Sequence, residues 1–145
     1  MPDLRHQLQI QATPEVIFPL VATSAGIAQW WAADCRDVPD PAHAVEVGFF
    51  HRETLYRLLP QTFVAPTSAT WRCETGQEWS NTLLSFTLRP KGPATLLRFV
   101  HSGWAADTDY YISCNTVWGA LLFRLKATAE GHPQGPLFTA EATAY

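Results

Sequence analysis

The junction in the last third of the chain constrains the fold most. Residues 95–101 alternate, with Leu97, Phe99 and His101 on one face. After Gly103 and Trp104 the pattern changes, and Tyr111, Cys114, Trp118, Leu121, Leu122, Leu125 and Ala129 recur at helical spacing. A period of two passing into a period of 3.6 calls for a sheet face and a helix stripe that bury each other. The pattern suggests a curved sheet that closes around a long C-terminal helix.

The rest of the chain supplies the other strands. Residues 4–12 place Leu8, Ile10 and Ala12 opposite Gln7, Gln9 and Gln11, which reads as a half-buried strand with His6 inward near its start. Thr13-Pro14-Glu15 reads as a helix start: a capping hydroxyl, a proline in the first turn and an acid at the positive end of the dipole. That helix should run to about Val21, with Pro19 straining it or ending it early. Thr23 or Ser24 caps a second short helix ending near Trp30-Trp31. Residues 37–43 read as a loop and 45–50 as a strand. Residues 54–64 are a strand in which Pro60 implies an edge or a bulge. Residues 68–74 and 82–89 are strands, with Thr75-Gly76-Gln77 as a turn and Pro90-Lys91-Gly92-Pro93 as a hairpin turn. These parities put Tyr56, Leu58, Trp71, Cys73, Phe86, Phe99 and His101 inward. Arg57, Arg72, Glu74, Arg89 and Arg98 point outward. Leu96 and Val100 fall outward too, a candidate homodimer surface or tolerated surface apolars. Asp107 or Thr108 caps the last helix and Gly131 ends it. Residues 1–131 form the predicted domain, and 132–145 read as a tail with a short strand near Leu137-Phe138.

At 145 residues one domain suffices. With 47% hydrophobic and 16% charged residues, and six Trp, eight Phe and four Tyr, the aromatics outnumber what a charged surface could use. They form a large-residue core, an enclosed apolar site or a partner surface. The net charge of −3 with scattered arginines argues against nucleic acid as a partner. No apolar run is long enough to span a membrane, and the first residues lack a signal-peptide core, so a cytoplasmic protein is expected. Cys35, Cys73 and Cys114 have neither disulfide nor metal-ligand spacing, and no cofactor is called for.

Several local patterns resemble one family. Ala12-Thr13-Pro14-Glu15-Val16-Ile17 resembles the opening helix, "A-T-P-E-x-V", of the START-like (SRPBCC) superfamily. Gly26-Ile27-Ala28-Gln29-Trp30-Trp31 resembles its "L-x-x-W-W" helix. Thr95-x-Leu97-x-Phe99-x-His101-Ser102-Gly103-Trp104 resembles its last strand, and Trp118, Leu122, Leu125-Lys126 and Glu130-Gly131 resemble its last helix. The similarity covers about residues 4–131. It is greatest to the branch named after the C-terminal domain of the heat-shock protein 90 ATPase activator. The resemblance implies an α+β domain of the helix-grip fold, a curved antiparallel sheet of about six to seven strands around the long C-terminal helix, with two short helices after the first strand and a pocket between sheet and long helix. Val117 departs from the family's frequent glycine before the tryptophan, which predicts a narrower cavity or a shifted helix. Members include lipid carriers, polyketide cyclases, aromatic-ring-modifying subunits and co-chaperone domains, and the fold alone does not choose among them. The eukaryotic activators carry a separate N-terminal domain, and one domain is expected here.

The candidate ligand-binding residues are Trp30, Tyr56, Trp71, Phe86, Phe99, His101, Trp104, Tyr111, Asn115 and Trp118. Trp30, Trp31 and Trp104 make a candidate aromatic rim, and Trp71 and Trp118 the wall or floor. Tyr111 and Asn115 share a helix face and offer hydrogen-bonding groups. His101 could orient a ligand carbonyl or move a proton. The alternative is a core histidine satisfied by backbone near Trp104. Cys73 lacks a basic partner that would make it a nucleophile. Three functions follow: binding of a small hydrophobic or aromatic ligand without chemistry, a cyclase- or dehydratase-type enzyme using His101, and a co-chaperone-like domain with a chaperone partner. The apolar lining and the lack of paired carboxylates favour the first.

Overall fold

Parity along the strands decides which sheet face the helix covers. The computed structural model of the chain describes residues 1–140. Its strands are β1 (Leu4–Ile10), β2 (Asp34–Asp37), β3 (Val45–Phe49), β4 (Thr54–Val64), β5 (Ser68–Cys73), β6 (Leu83–Lys91) and β7 (Ala94–Ser102). Helices α1 (Pro14–Ala22) and α2 (Ser24–Ile27) follow β1, and α3 (Asp109–Ala129) follows β7. The strands form one antiparallel sheet in the order β1-β7-β6-β5-β4-β3-β2. This is the expected helix-grip architecture. Tyr56, Leu58, Trp71, Cys73, Leu84, Phe86, Leu97, Phe99 and His101 are all buried on the inner face, against Cys114, Trp118, Leu121, Leu122 and Leu125 of α3.

Pro60 marks a bulge inside the sheet: the β4–β5 register shifts between Pro60 and Thr62, while β3 pairs the other side of β4. Pro19, by contrast, neither ends nor shortens α1. It sits on the exposed side with Glu15, whose carbonyl its missing N–H would have bonded. Thr13 occupies the N-cap position without a side-chain bond, and Pro14 starts the helix. The second helix stops at Ile27, before the two tryptophans. β2 lies outside every expected strand. Its sequence, Asp-Cys-Arg-Asp, has no apolar alternation, and it is held by pairing with β3 and by ion pairs. Arg52 Nε donates to Asp34 Oδ2 at 2.7 Å, Arg52 Nη1 to Glu46 Oε1 at 3.2 Å, and Arg36 to Asp34 Oδ1. The bonded Arg52 guanidinium holds the Asp34 carboxyl below its ordinary range.

Both ends of α3 are tied down. Thr108 Oγ accepts the Tyr111 N–H at 3.2 Å and donates to Glu78 on the β5–β6 loop. At the other end Gly131, at φ +89°, allows the His132 N–H to reach the Ala127 carbonyl and the Gly131 N–H the Thr128 carbonyl. Lys126 Nζ donates to Glu130 Oε2 and to the Gln9 carbonyl, and the Gln11 N–H donates to Glu130 Oε2, each at 2.7 Å. Lys126 and the Gln11 amide keep the Glu130 carboxyl below its ordinary range. The Leu-Lys-x-x-x-Glu pattern is thus a rivet between helix and first strand.

α1 and α2 touch at Gly26. The Thr23 hydroxyl donates to the Pro19 carbonyl and accepts the Gly26 N–H, joining the two helices. A Cβ at Gly26 would stand 2.0 Å from the Pro19 carbonyl oxygen and 2.6 Å from Leu20 Cα, both backbone atoms. Gly26→Ala is therefore expected to destabilise by about 2–3 kcal/mol and to lower Tm by about 6–10 °C. A thermal melt within a degree of wild type would show that the helices part freely.

Candidate functional site

The chain from α2 to β2 and the β5–β6 loop bring Trp30, Trp31 and Trp79 together on the inner face of the sheet. Between them and α3 lies a narrow apolar site. Its walls are Trp31, Phe49, Tyr56, Trp79, Cys114, Val117, Trp118, Leu121 and Phe138. The free volume is about 20 Å³, room for a single water. Tyr56 and Trp79 stack at 4.0 Å and 6°. Trp79 lies parallel to Trp118 at 6.0 Å, and Trp31 meets Trp118 at 5.0 Å. Val117 is half-buried on this wall, where a glycine would leave more room.

Polar groups at the walls are few. Trp79 is 4% exposed, and its indole nitrogen has no hydrogen-bond partner of ordinary geometry. It contacts the Cys114 thiol, a weak acceptor. Burial raises the pKa of that thiol, and the Trp79 and Tyr110 contacts oppose the rise. The Tyr56 and Tyr110 hydroxyls are bonded to each other at the rim.

His101 lies behind this wall, fully buried and held on both nitrogens. Trp118 Nε1 donates to Nδ1 at 3.1 Å. The Thr82 hydroxyl donates to the Trp79 carbonyl at 2.6 Å, so its oxygen accepts from His101 Nε2–H at 2.9 Å. This relay fixes the Nε2–H tautomer. Burial lowers the His101 pKa to about 3, leaving the ring neutral at physiological pH. With no lone pair or proton to spare, His101 positions Trp118 and Thr82 and does not face the cavity. Its partners are side chains, not the backbone near Trp104.

Of the ten candidates, Tyr56 and Trp118 line the cavity. Trp30 and Trp71 are buried behind it, their indole N–H groups donating to the Leu20 carbonyl at 2.8 Å and the Val21 carbonyl at 2.9 Å. They anchor α1 rather than make a rim or wall. Phe99 packs tilted against Trp118 at 4.2 Å in the core, and Phe86 against Phe99 at 4.9 Å. Trp104 is fully buried against His101 and Tyr111 and is not part of a rim. The Tyr111 hydroxyl donates to the Asp3 carbonyl at 3.0 Å, tethering the N-terminal segment. Asn115 is exposed: α3 turns Cys114 and Trp118 inward, and the next position along faces solvent. Cys73 donates to the Thr75 carbonyl, and burial pushes its thiol up to about 12, which removes it as a nucleophile. The sequence reading missed Trp79 and Phe138, since each lies in a segment without periodicity. Among the described residues no group of His, Cys, Asp and Glu is placed to hold a metal ion, and no helix is long and apolar enough to cross a membrane.

No protein-family model and no curated protein matches the sequence. Solved structures do match. The Aha1 dimer from Colwellia psychrerythraea is 26% identical, over 91% of this chain and 98% of that one, with a TM-score of 0.80. A Mesorhizobium loti protein is 16% identical over 86% and 94%, with a TM-score of 0.74. DynU16, from the dynemicin biosynthetic locus, is 14% identical with a TM-score of 0.76, over 94% of this chain and 50% of that one. The chain has the START-like helix-grip fold, and its likeness extends to the Aha1 branch.

Proposed function

We propose that this chain, a START-like helix-grip domain, binds one small, flat, apolar molecule between the sheet and α3 without acting on it chemically. One observation carries the reading: six aromatic rings line the same narrow site, with the Trp79 indole N–H as a buried donor among them. An aromatic ligand bearing one carbonyl or ether oxygen matches that lining. The enzyme alternative loses its base, because both His101 nitrogens are committed. The site is closed at about 20 Å³, so binding requires a wall to move. Titration with N-phenyl-1-naphthylamine, followed by energy transfer from tryptophan, is expected to give micromolar affinity. Val117→Phe, which adds a ring at the half-buried wall, should weaken binding at least tenfold with Tm retained. A chain that carries no organic-extractable molecule in native mass spectrometry, and takes up no probe, would defeat the reading.

A second reading is favoured by the Colwellia structure: a co-chaperone-like domain that engages heat-shock protein 90 and self-associates. The half-buried Leu96 and Val100 on the outer sheet face would contribute to the self-contact. A pull-down with heat-shock protein 90, its ATPase rate and the mass in solution test this. No capture, an unchanged rate and a monomeric mass would dispose of it.

A further inference from the structure

The segment after α3 returns to the site. Arg124 Nη1 donates to the carbonyls of Gln134 at 3.1 Å and Gly135 at 3.0 Å, turning the chain back along the helix. The Leu137 N–H then donates to the Trp30 carbonyl at 3.1 Å and the Phe138 N–H to the Trp31 carbonyl at 3.0 Å. The Ala33 N–H donates to the Phe138 carbonyl at 3.0 Å, completing a parallel bridge between Ala32 and Phe138. The Phe138 ring is 6% exposed and stands edge-on to Phe49 at 5.0 Å, as one wall of the cavity. Its neighbours Thr139 and Ala140 are exposed.

A benzene-sized guest needs a cavity on the order of 150 Å³. About 20 Å³ is free beside Phe138, so the place held by its ring is the missing room. Outside it a surface groove of about 510 Å³, lined by Asp34, Arg36, Phe50, His51 and the segment itself, opens the way to solvent. The β3–β4 turn flanking the ring holds Phe50, His51 and Arg52 at φ +53°, +55° and +67°. Three consecutive non-glycine residues in the left-handed region are costly and are kept where the surroundings demand them. The Phe50 ring lies 6.4 Å from Phe138.

We infer that Phe138 is a built-in occupant of the ligand site: an aromatic ligand takes the place of its ring, and residues 137–140 leave the sheet edge when it does. This rests on the apolar-binding reading above and adds a class of ligand, one whose leading part is a single planar ring entering edge-on to Phe49. Binding is thereby coupled to release of the C-terminal segment, and the segment sets the affinity by competing in cis.

The test is titration of the full chain with N-phenyl-1-naphthylamine, alongside hydrogen exchange. Leu137→Pro removes the N–H that bonds the Trp30 carbonyl but keeps the Phe138 ring. It is expected to tighten binding about fivefold, the worth of one hydrogen bond. Phe138→Ala should tighten it more than tenfold. Because that variant also leaves a hole, Leu137→Pro is the deciding one. In wild type, saturating probe should speed exchange of the Leu137 and Phe138 amides at least tenfold, a readout that needs no variant to fold. Equal affinity of wild type and Leu137→Pro, with both amides as protected with probe as without it, overturns the inference and leaves ligand binding standing. If no protein binds the probe while near-ultraviolet circular dichroism shows all of them folded, the binding reading fails and this inference falls with it.

Discussion

Trp118→Ala is expected to lower the unfolding free energy by about 3–5 kcal/mol in urea titration, enough to leave a domain of this size close to unfolding. Trp118 is 1% exposed and packs on Phe99 at 4.2 Å, Trp31 at 5.0 Å and Trp79 at 6.0 Å. It also saturates His101 Nδ1 from the middle of α3. Truncation would empty the space between helix and sheet and leave a buried nitrogen without a donor. Trp118→Phe separates the two effects: it keeps most of the volume and loses the bond, at a cost of about 1–3 kcal/mol. A Trp118→Ala variant within 1 kcal/mol of wild type would show that α3 is gripped by its riveted ends rather than by its centre.

The second large effect is acid sensitivity. His101 has a folded pKa of about 3, against an ordinary 6.5, so the unfolded chain binds a proton that the folded one refuses. Its contribution to stability is whole above pH 6.5 and is lost progressively as pH falls toward 3. Between pH 7 and pH 5 the loss is about 2 kcal/mol. His101→Gln retains one donor and one acceptor but cannot charge. The stability difference between wild type and His101→Gln should therefore shift by about 2 kcal/mol in favour of the variant on going from pH 7 to pH 5. Parallel stability curves across that interval would mean that the imidazole is hydrated or already charged in the native state. The window stops above pH 5 because Asp34, Asp40 and Glu130, with carboxyls below their ordinary range, lose stability of their own in stronger acid.

What the sequence disclosed was local. Alternation in β5, β6 and β7 assigned each inward residue correctly, including His101, because a half-buried strand writes its burial every second residue. The α3 stripe was legible for the same reason at its own period. β2 was not, since ion pairs and strand pairing hold it rather than an apolar face. The site was harder to read than the fold. Trp79 and Phe138 lie where no period exists, and their partners Tyr56 and Phe49 are far away in sequence. Asn115 missed the interior by one position, which on a helix turns a side chain by a quarter of a circle or more. His101 looked available because its partners, Thr82 and Trp118, come from another strand and from the helix, and pairing across elements leaves no mark on spacing.

An open sheet has two edges, and strand-to-strand addition at either one is the usual route to aggregation. Here the last helix and the segment that follows it cover part of each. At β1, Lys126 takes the Gln9 carbonyl, and Glu130 takes the Gln11 N–H just beyond the strand, so the end of that edge is already bonded. At the opposite edge, the bridge of Phe138 with Ala32 lies just before β2. The rivet is fixed in the helix, but the bridge belongs to a single short segment. The two edges are therefore unequally guarded, and conditions that loosen the residues around Phe138 should turn the β2 side first into a template for self-association.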